Sequence, residues 1–416
     1  MTSIATIDVR ATKTISVTLL GAGTVNGALA TLIAERGKFE NFELEVTQAL
    51  VNDATEFRQD ILPERLIDDP SAIEFENTDI VIEALGGIEP ARTLVVAALH
   101  SGIPVVSANK TLIAHHGEEL LRAAKRGNTT IRFEAAVGAA TPCLRVLRDT
   151  LKGVGVRRIY GVLNGTSHFV LNEIANPGAS LDAAVRTAQV RGYAEQDPSA
   201  DLEGHDAAQK LAILSWSVSG ELLDPTAIPR VELPTLSPST VAAAAQIGFT
   251  VKPLAALSWD KEGAPDAWIA PAAVPTASPL AATQGVTATI VVETSRAGTL
   301  LLSAPGAGGF PTASALFDDL IDIVDGRADQ GTTQSSERID LGGAGDAHDW
   351  VVHAPVHTGF DGARLARHIA DSRGHIERFE NLGDAGFVAH VSGVSYDPSF
   401  TEPLTRAGAC VLEVVQ

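Results

Sequence analysis

The run Thr14 to Leu20, TISVTLL, is β-branched and apolar and passes straight into GAGTVNGALATLIAERG, a glycine turn followed by apolar residues at helical spacing. A strand, a tight turn and a helix in that order commit the chain to a βα unit. The alternation continues through LEVTQALV, DIVIEAL, IPVVSANK and TIRFEAAVG, with helical segments such as Ala91 to His100 and Gly117 to Lys125 between them. Strands that alternate with helices require a parallel sheet wound on both faces. The expected fold class is therefore α/β, with a Rossmann-like parallel-sheet domain over residues 1–149.

From about Thr150 the rhythm changes. VRRIYGVLNG reads as a strand, and SLDAAVRTAQVRG and DAAQKLAILSWSVSG read as helices. The runs TVKPLAALSWD and TATIVVETSRAGTLLLSAPG and a helix from Thr312 to Asp325 complete a second α/β domain, 150–328, built on a second sheet. The stretch 329–346 is rich in Gly, Ser, Asp and Gln and reads as a linker. After it, 347–416 follow the order strand, helix, strand, strand, helix, strand, the signature of a small ferredoxin-like module. No internal repeat is present.

Composition narrows the function. The formal charge of -20 argues against nucleic acid and anionic membrane surfaces as partners and leaves small molecules as ligands. Only Cys143 and Cys410 occur, far apart, so neither a disulfide framework nor a zinc site is supported and a reducing cytoplasm is expected. The N-terminal segment lacks a signal-peptide pattern, and no apolar run reaches membrane-spanning length.

Chemistry concentrates in four places. Gly21, Gly23, Thr24 and Val25 end the first strand and open the first helix, where backbone N–H groups and the helix dipole can receive a dinucleotide pyrophosphate. The third glycine of a G-x-G-x-x-G pattern is replaced by Asn26, with Gly27 next to it, so an altered helix packing is expected there. Asn52 and Asp53 end the second strand, where an acid selects the ribose hydroxyl of NAD; with no basic residue before Arg58 they tilt the expectation toward NAD over NADP, although Asp53 could equally cap a turn. EALGG (83–87) and SANK (107–110) end further strands and bring Lys110 to the ligand edge of the sheet.

The densest block is Gly192 to Leu211, GYAEQDPSADLEGHDAAQKL, which holds Glu195, Asp197, Asp201, Glu203, Asp206 and Lys210. Asp206 and Lys210 stand four apart on a helix and so share one face. Alone, that pair is also the mark of a surface salt bridge. Next to an acidic loop it suits a substrate that carries both an amino group and a reactive oxygen, and Lys110 would add a second ammonium group. FEAAVGAATP (133–142) reads either as a structural loop or as one that coordinates a hard monovalent cation through Glu134 and backbone carbonyls. GAGGFPTASA (306–315) is a second glycine-rich loop before a helix, able to touch cofactor or simply to turn. His168 and His205 fall beside the candidate site, but the histidines form no metal-binding pair and no nucleophile elbow is present.

Taken together, GAGTVNG, EALGG, SANK, FEAAVG, VLNGTSH, the 192–211 block and GAGGFPTASA resemble homoserine dehydrogenase in order and spacing from about Thr14 to Gly326. The C-terminal module is similar to the ACT domain of many bacterial members. The resemblance implies reversible reduction of L-aspartate 4-semialdehyde to L-homoserine with NADH or NADPH. It implies Lys210 as the proton donor with Asp206 as its partner, Lys110 shared between cofactor and substrate, and Glu195, Asp201, Thr166 and Tyr193 around the substrate. It further implies that Gly306 reaches the cofactor, that Glu134, Val137, Ala139 and Thr141 form a sodium site, and that the chain is a homodimer or homotetramer. Three departures stand out: Asn26 at the third glycine, His168 where the family usually has Asn, and Phe169 for a common Tyr. The last two keep open a related dehydrogenase acting on another semialdehyde or carbonyl, and a non-catalytic amino-acid-binding regulator is a further alternative. HTGFDGARLA lacks the Asp-x-Pro-Gly turn with which ACT domains bind an amino acid, which argues against feedback control.

Overall fold

A computed structural model describes residues 13–176, 178–259, 263–327, 348–356, 361–394 and 398–415. The stretch read as a linker lies outside the described residues, as does part of HTGFDGARLA. In chain order the elements begin with β1 Lys13–Leu20, α1 Thr24–Arg36, β2 Phe42–Leu50, β3 Leu66–Ile67, β4 Ile80–Glu83, α2 Ala91–His100, β5 Val105–Ser107, α3 Lys110–Arg126 and β6 Ile131–Arg132. Next come α4 Cys143–Arg145, which runs into a π-turn ending at Thr150, β7 Val156–Val162, α5 Gly165–Ile174, α6 Leu181–Val190, α7 Ser199–Leu202, α8 His205–Ser219 and α9 Pro238–Gln246. Then follow β8 Phe249–Trp259, β9 Pro265–Pro275, β10 Thr287–Thr294, β11 Thr299–Pro305, α10 Gly309–Val324, β12 His348–Ala354, α11 Gly362–Asp371, β13 His375–Asn381, β14 Phe387–Val394, α12 Pro398–Arg406 and β15 Cys410–Val414.

The chain divides into two compact units, 1–142 with 307–331, and 143–306 with 332–416. The first holds a six-stranded parallel sheet in the order β3-β2-β1-β4-β5-β6, as the βα alternation requires. Its central strands are covered on both faces: every residue of β4 is buried, and Val17, Leu19 and Leu20 of β1 are fully so. The sequence reading places the helix near 312–325 in the second domain, whereas α10 returns to the first unit. Its apolar face, Ala313, Ala315, Leu316 and Leu320, joins the core of β1 and α1. Periodicity identifies an apolar face but not the surface that will bury it.

The second unit is built on one nine-stranded sheet, ordered β11-β10-β7-β8-β9-β15-β12-β14-β13. Its pairs are antiparallel except β15 with β9, which meet in parallel at Val414 and Ala273. The four C-terminal strands, with α11 and α12 between them, realise the expected strand–helix–strand–strand–helix–strand order. They also share a core with the rest of the unit, in which Val351, Val388, Leu412 and Val414 pack with Phe249, Val251 and Ala273. Side-chain caps start several helices: Asn109 for α3, Asn164 for α5, Ser180 for α6 and Ser237 for α9.

Candidate active site

In the first unit the glycine turn has the geometry of an anion cradle. Gly21 has a φ of +88°, and a Cβ there would stand 3.0 Å from the Ala84 carbonyl oxygen, so the tight turn needs glycine. Gly23, by contrast, opens onto empty space, and α1 behind it has no side-chain cap. The first N–H groups of α1 are thus presented for an external anion, and the residues fit a pyrophosphate. Val25 is half-buried against the core.

Asn26 is accommodated inside the protein. Its side chain is 1% exposed and turns inward, where Nδ2 donates to the carbonyls of Gly21 at 2.7 Å, Leu20 at 3.3 Å and Ile82 at 3.4 Å. It therefore ties the turn to β1 and β4. The close packing that a third glycine usually permits is found at Gly309 instead, whose Cβ would meet the Thr24 carbonyl oxygen at 3.0 Å as α10 crosses α1.

Past β2, Asn52 is exposed. Asp53 Oδ1 accepts from Thr55 N at 2.8 Å and Thr55 Oγ1 at 2.6 Å, and those bonds lower its pKa. The turn-capping role is real, and both bonds fall on one oxygen. At the ends of β4 and β5, fully buried Glu83 accepts from Ser107 Oγ at 2.5 Å, Asn109 Nδ2 at 3.1 Å and Leu85 N at 2.9 Å. Burial raises its pKa against the pull of these bonds. Asn109 also donates to the Gly87 carbonyl and caps α3, so the network sets the backbone at half-buried Lys110, the first residue of that helix.

In the second unit α8 carries the pair. It begins after Gly204, whose φ is +81° and whose Cβ would meet Ile269 at 3.0 Å. Lys210 Nζ donates to Asp206 Oδ2 and to the Leu163 carbonyl, each at 2.7 Å, with both side chains about nine-tenths buried. Asn164 Nδ2 reaches Asp206 Oδ2 at 2.8 Å and Asp201 Oδ1 at 2.7 Å, so one amide holds the two carboxylates side by side. Burial first, and then the Asp206 charge, raise the pKa of Asp201. Thr166 Oγ1 donates to the Tyr193 carbonyl at 2.7 Å, and the half-exposed Tyr193 ring meets Phe169 edge-on at 5.1 Å. Glu195 is exposed on the same loop, with its carbonyl accepting from Gln189. The motifs thus bring Lys210, Asp206, Asp201 and Thr166 together, whereas no bond among the described residues ties the Glu195 carboxylate to them.

Gly306 belongs to the second unit, where a Cβ would stand 2.8 Å from that of Ala288, so strand packing alone requires glycine there. His205 is exposed and faces Glu203 at 3.3 Å. His168 is fully buried and Phe169 nearly so, which makes both of them interior residues. Glu134, Val137, Ala139 and Thr141 share one loop and are all buried. Gly138 and Ala139 have positive φ, and the Thr141 hydroxyl is enclosed without a hydrogen bond. Among the described residues no three His, Cys, Asp or Glu side chains converge as a metal site. The residues that sequence reasoning passed over are Asn164, the Leu163 carbonyl, Glu83 and Asn109. The first two lie in VLNG, where an asparagine before a helix reads merely as a cap.

Two family models match the chain: homoserine dehydrogenase over residues 142–321 and the homoserine dehydrogenase NAD-binding domain over 21–134. Homoserine dehydrogenase of Corynebacterium glutamicum is 39% identical over 74% of this chain and 71% of its own length, and that of Mycobacterium leprae is 32% identical over 87% and 82%. Among solved structures, a homoserine dehydrogenase from Thiobacillus denitrificans superposes with a TM-score of 0.82 at 28% identity, covering 97% of this chain and 99% of the other. A hyperthermophilic archaeal homoserine dehydrogenase in complex with NADPH superposes at 0.65 and 29% identity, covering 76% of this chain and 99% of that one. With its motifs in order, its parallel-sheet nucleotide turn and its Asp206–Lys210 pair accounted for, the chain belongs to the homoserine dehydrogenase family.

Proposed function

We infer that this enzyme is an NAD(P)-dependent oxidoreductase that interconverts L-aspartate 4-semialdehyde and L-homoserine, on the route to threonine and methionine. The observation that carries the mechanism is the bonding of Lys210. An ammonium group has three donors, and two are taken by Asp206 and the Leu163 carbonyl. Among the described residues nothing takes the third, which we assign to the carbonyl oxygen of the substrate.

NAD(P)H, once held by the glycine turn of the first unit, would supply a hydride to the aldehyde carbon. As negative charge develops on the oxygen, Lys210 donates its proton; in the reverse direction it takes the proton from the alcohol. Asp206 holds Nζ in place and balances its charge, which is help delivered where the transition state needs it. Asp201 and Glu195, with Thr166 and Tyr193 beside them, are the groups we assign to the substrate's amino end, and Lys110 the group we assign to both substrate and cofactor. Gly21, Gly23, Thr24 and Val25 would hold the pyrophosphate. Asn52 and Asp53 would meet the ribose, where Asp53 Oδ2 can accept a hydroxyl while Oδ1 serves Thr55, which favours NAD.

Glu134, Val137, Ala139 and Thr141 would hold a sodium ion, since the enclosed Thr141 hydroxyl supplies an oxygen that no protein donor uses. We assign the C-terminal module to the ACT-like class, with a role in pairing subunits into a homodimer or homotetramer. No described helix is long and apolar enough to cross a membrane, and a cytoplasmic location is proposed. The family match favours this substrate over a related semialdehyde or another carbonyl.

The test is initial-rate absorbance at 340 nm with L-homoserine plus NAD or NADP, and in reverse with the semialdehyde. Lys210→Ala should lower kcat by about 10²- to 10⁴-fold and leave the cofactor Kd unchanged. Undiminished turnover would remove Lys210 from its role.

A further inference from the structure

Lys252, on β8, is 1% exposed, and among the described residues no carboxylate pairs with it. Lysine is almost never buried so completely unless it is paired. Its Nζ lies 3.0 Å from His168 Nε2, 2.7 Å from the Thr283 carbonyl oxygen and 3.4 Å from Asn172 Oδ1. Three neutral acceptors from two separate segments surround one ammonium group.

The assignment of the His168 bond follows from the electrostatics. Desolvation, and then the Lys252 charge, push the His168 pKa down to about 3, so the ring is neutral and its Nε2 can accept. Burial pulls Lys252 down to about 8. Lysine is thus the donor and imidazole the acceptor, with Asn172 Nδ2 3.2 Å from the same nitrogen.

Both segments lead to the active site. Asn164, His168 and Asn172 are spaced by four, so they form one stripe along α5 and its cap. Asn164 heads that stripe and binds Asp201 and Asp206, and the Leu163 carbonyl just before it binds Lys210. The second segment continues from Thr283 to Val286, which presses on the first residue of α5; a Cβ on Gly165 would stand 3.1 Å from Val286. Thr283 is itself fastened through Thr289 to Ser303.

We propose that Lys252 is a positioning residue of the reaction: its buried ammonium clamps α5 and the 283–286 turn together, and so fixes the Leu163 carbonyl and the Asn164 amide on the Lys210–Asp206 pair. This rests on the assignment of Lys210 as proton donor. It also accounts for histidine at 168, a position that needs a side chain long enough to reach Lys252 and able to accept.

The experiment compares Lys252→Met, His168→Leu, His168→Gln and Lys210→Ala in the full-length enzyme, with folding checked by circular dichroism and thermal melting. Lys252→Met should stay folded at the assay temperature and lose about 10- to 100-fold in kcat, since small misplacements of catalytic groups cost that much. The substrate KM should stay within about threefold, as expected when transition-state rather than ground-state interactions are lost. His168→Leu should lose kcat similarly, and His168→Gln, which keeps an acceptor, should recover most of it. A folded Lys252→Met enzyme with wild-type kcat overturns the proposal. If that variant does not fold, the His168 pair decides: loss in His168→Leu alone supports the clamp, and equal behaviour of the two overturns it. Lys210→Ala keeps the two ideas apart, because retained activity there would refute the proton-donor assignment whatever Lys252 does.

Discussion

Asp201 shows how one position turns burial into chemistry. Its carboxylate is held above the ordinary range by desolvation and by Asp206, and it must be ionised to hold an ammonium group. A raised acid pKa means that the charged form is lost early as pH falls. The substrate KM should therefore climb with acidification above the usual carboxylate range, and Asp201→Asn should raise KM near neutral pH, where the carboxylate is ionised, and flatten that dependence; a pH series of KM checks both. Asn26 makes the opposite kind of contribution. With three carbonyls on one amide, Asn26→Gly should weaken cofactor binding and cost about 1–3 kcal/mol of stability, since buried acceptors lose their donor. Cofactor titration and denaturant melts measure the two effects. The asparagine was legible in sequence only as a missing glycine, because whether a side chain at that position points at the ligand or into the sheet depends on β4, sixty residues away.

At the scale of elements, α10 shows what joins a returning segment to its unit. Asp319, with no exposed surface, accepts from Glu134 N at 2.9 Å and lies 4.0 Å from Arg132, which reaches Asp322 at 3.4 Å and the Arg327 carbonyl at 2.8 Å. This network fastens α10 to β6 and to the first residue of the 134–141 loop. Asp319→Ala leaves the buried Glu134 N–H without its acceptor while Arg132 keeps Asp322, so it should lower stability by about 1–3 kcal/mol. A thermal melt would show it as a drop in Tm, and a melt like that of the wild type would contradict the network's importance. The helix itself was plain in the sequence from Thr312 to Asp325. The burial of Asp319 and Asp322 was not visible, since Arg132 is nearly two hundred residues away.

For the molecule as a whole, the C-terminal strands are part of the second unit's sheet and core. Val415 N donates to the Ala273 carbonyl at 2.9 Å, and Arg158 on β7 and His348 on β12 both approach Glu413 on β15, at 3.6 Å and 3.1 Å. A chain ended near residue 327 would uncover Phe249, Val251 and Ala273 on that face. Such a truncation should melt at a lower temperature and aggregate more readily than the full-length enzyme, as newly exposed apolar patches do. An unchanged melt would mean that the module is a separable appendage.

Local pattern was enough for everything that depends on neighbours in sequence. The βα alternation implied the parallel sheet, i and i+4 spacing placed Asp206 beside Lys210, and the motif order pointed to the family. Tertiary structure alone decided the partners of buried polar groups: Asn26 turned inward, α10 returned to the first unit, Asn164 bridged two carboxylates and His168 met Lys252. The physical reason is that hydrophobic periodicity reports which face is buried, whereas a buried hydrogen bond is set by what arrives from a distant segment, and its donor and acceptor carry no local signature of each other.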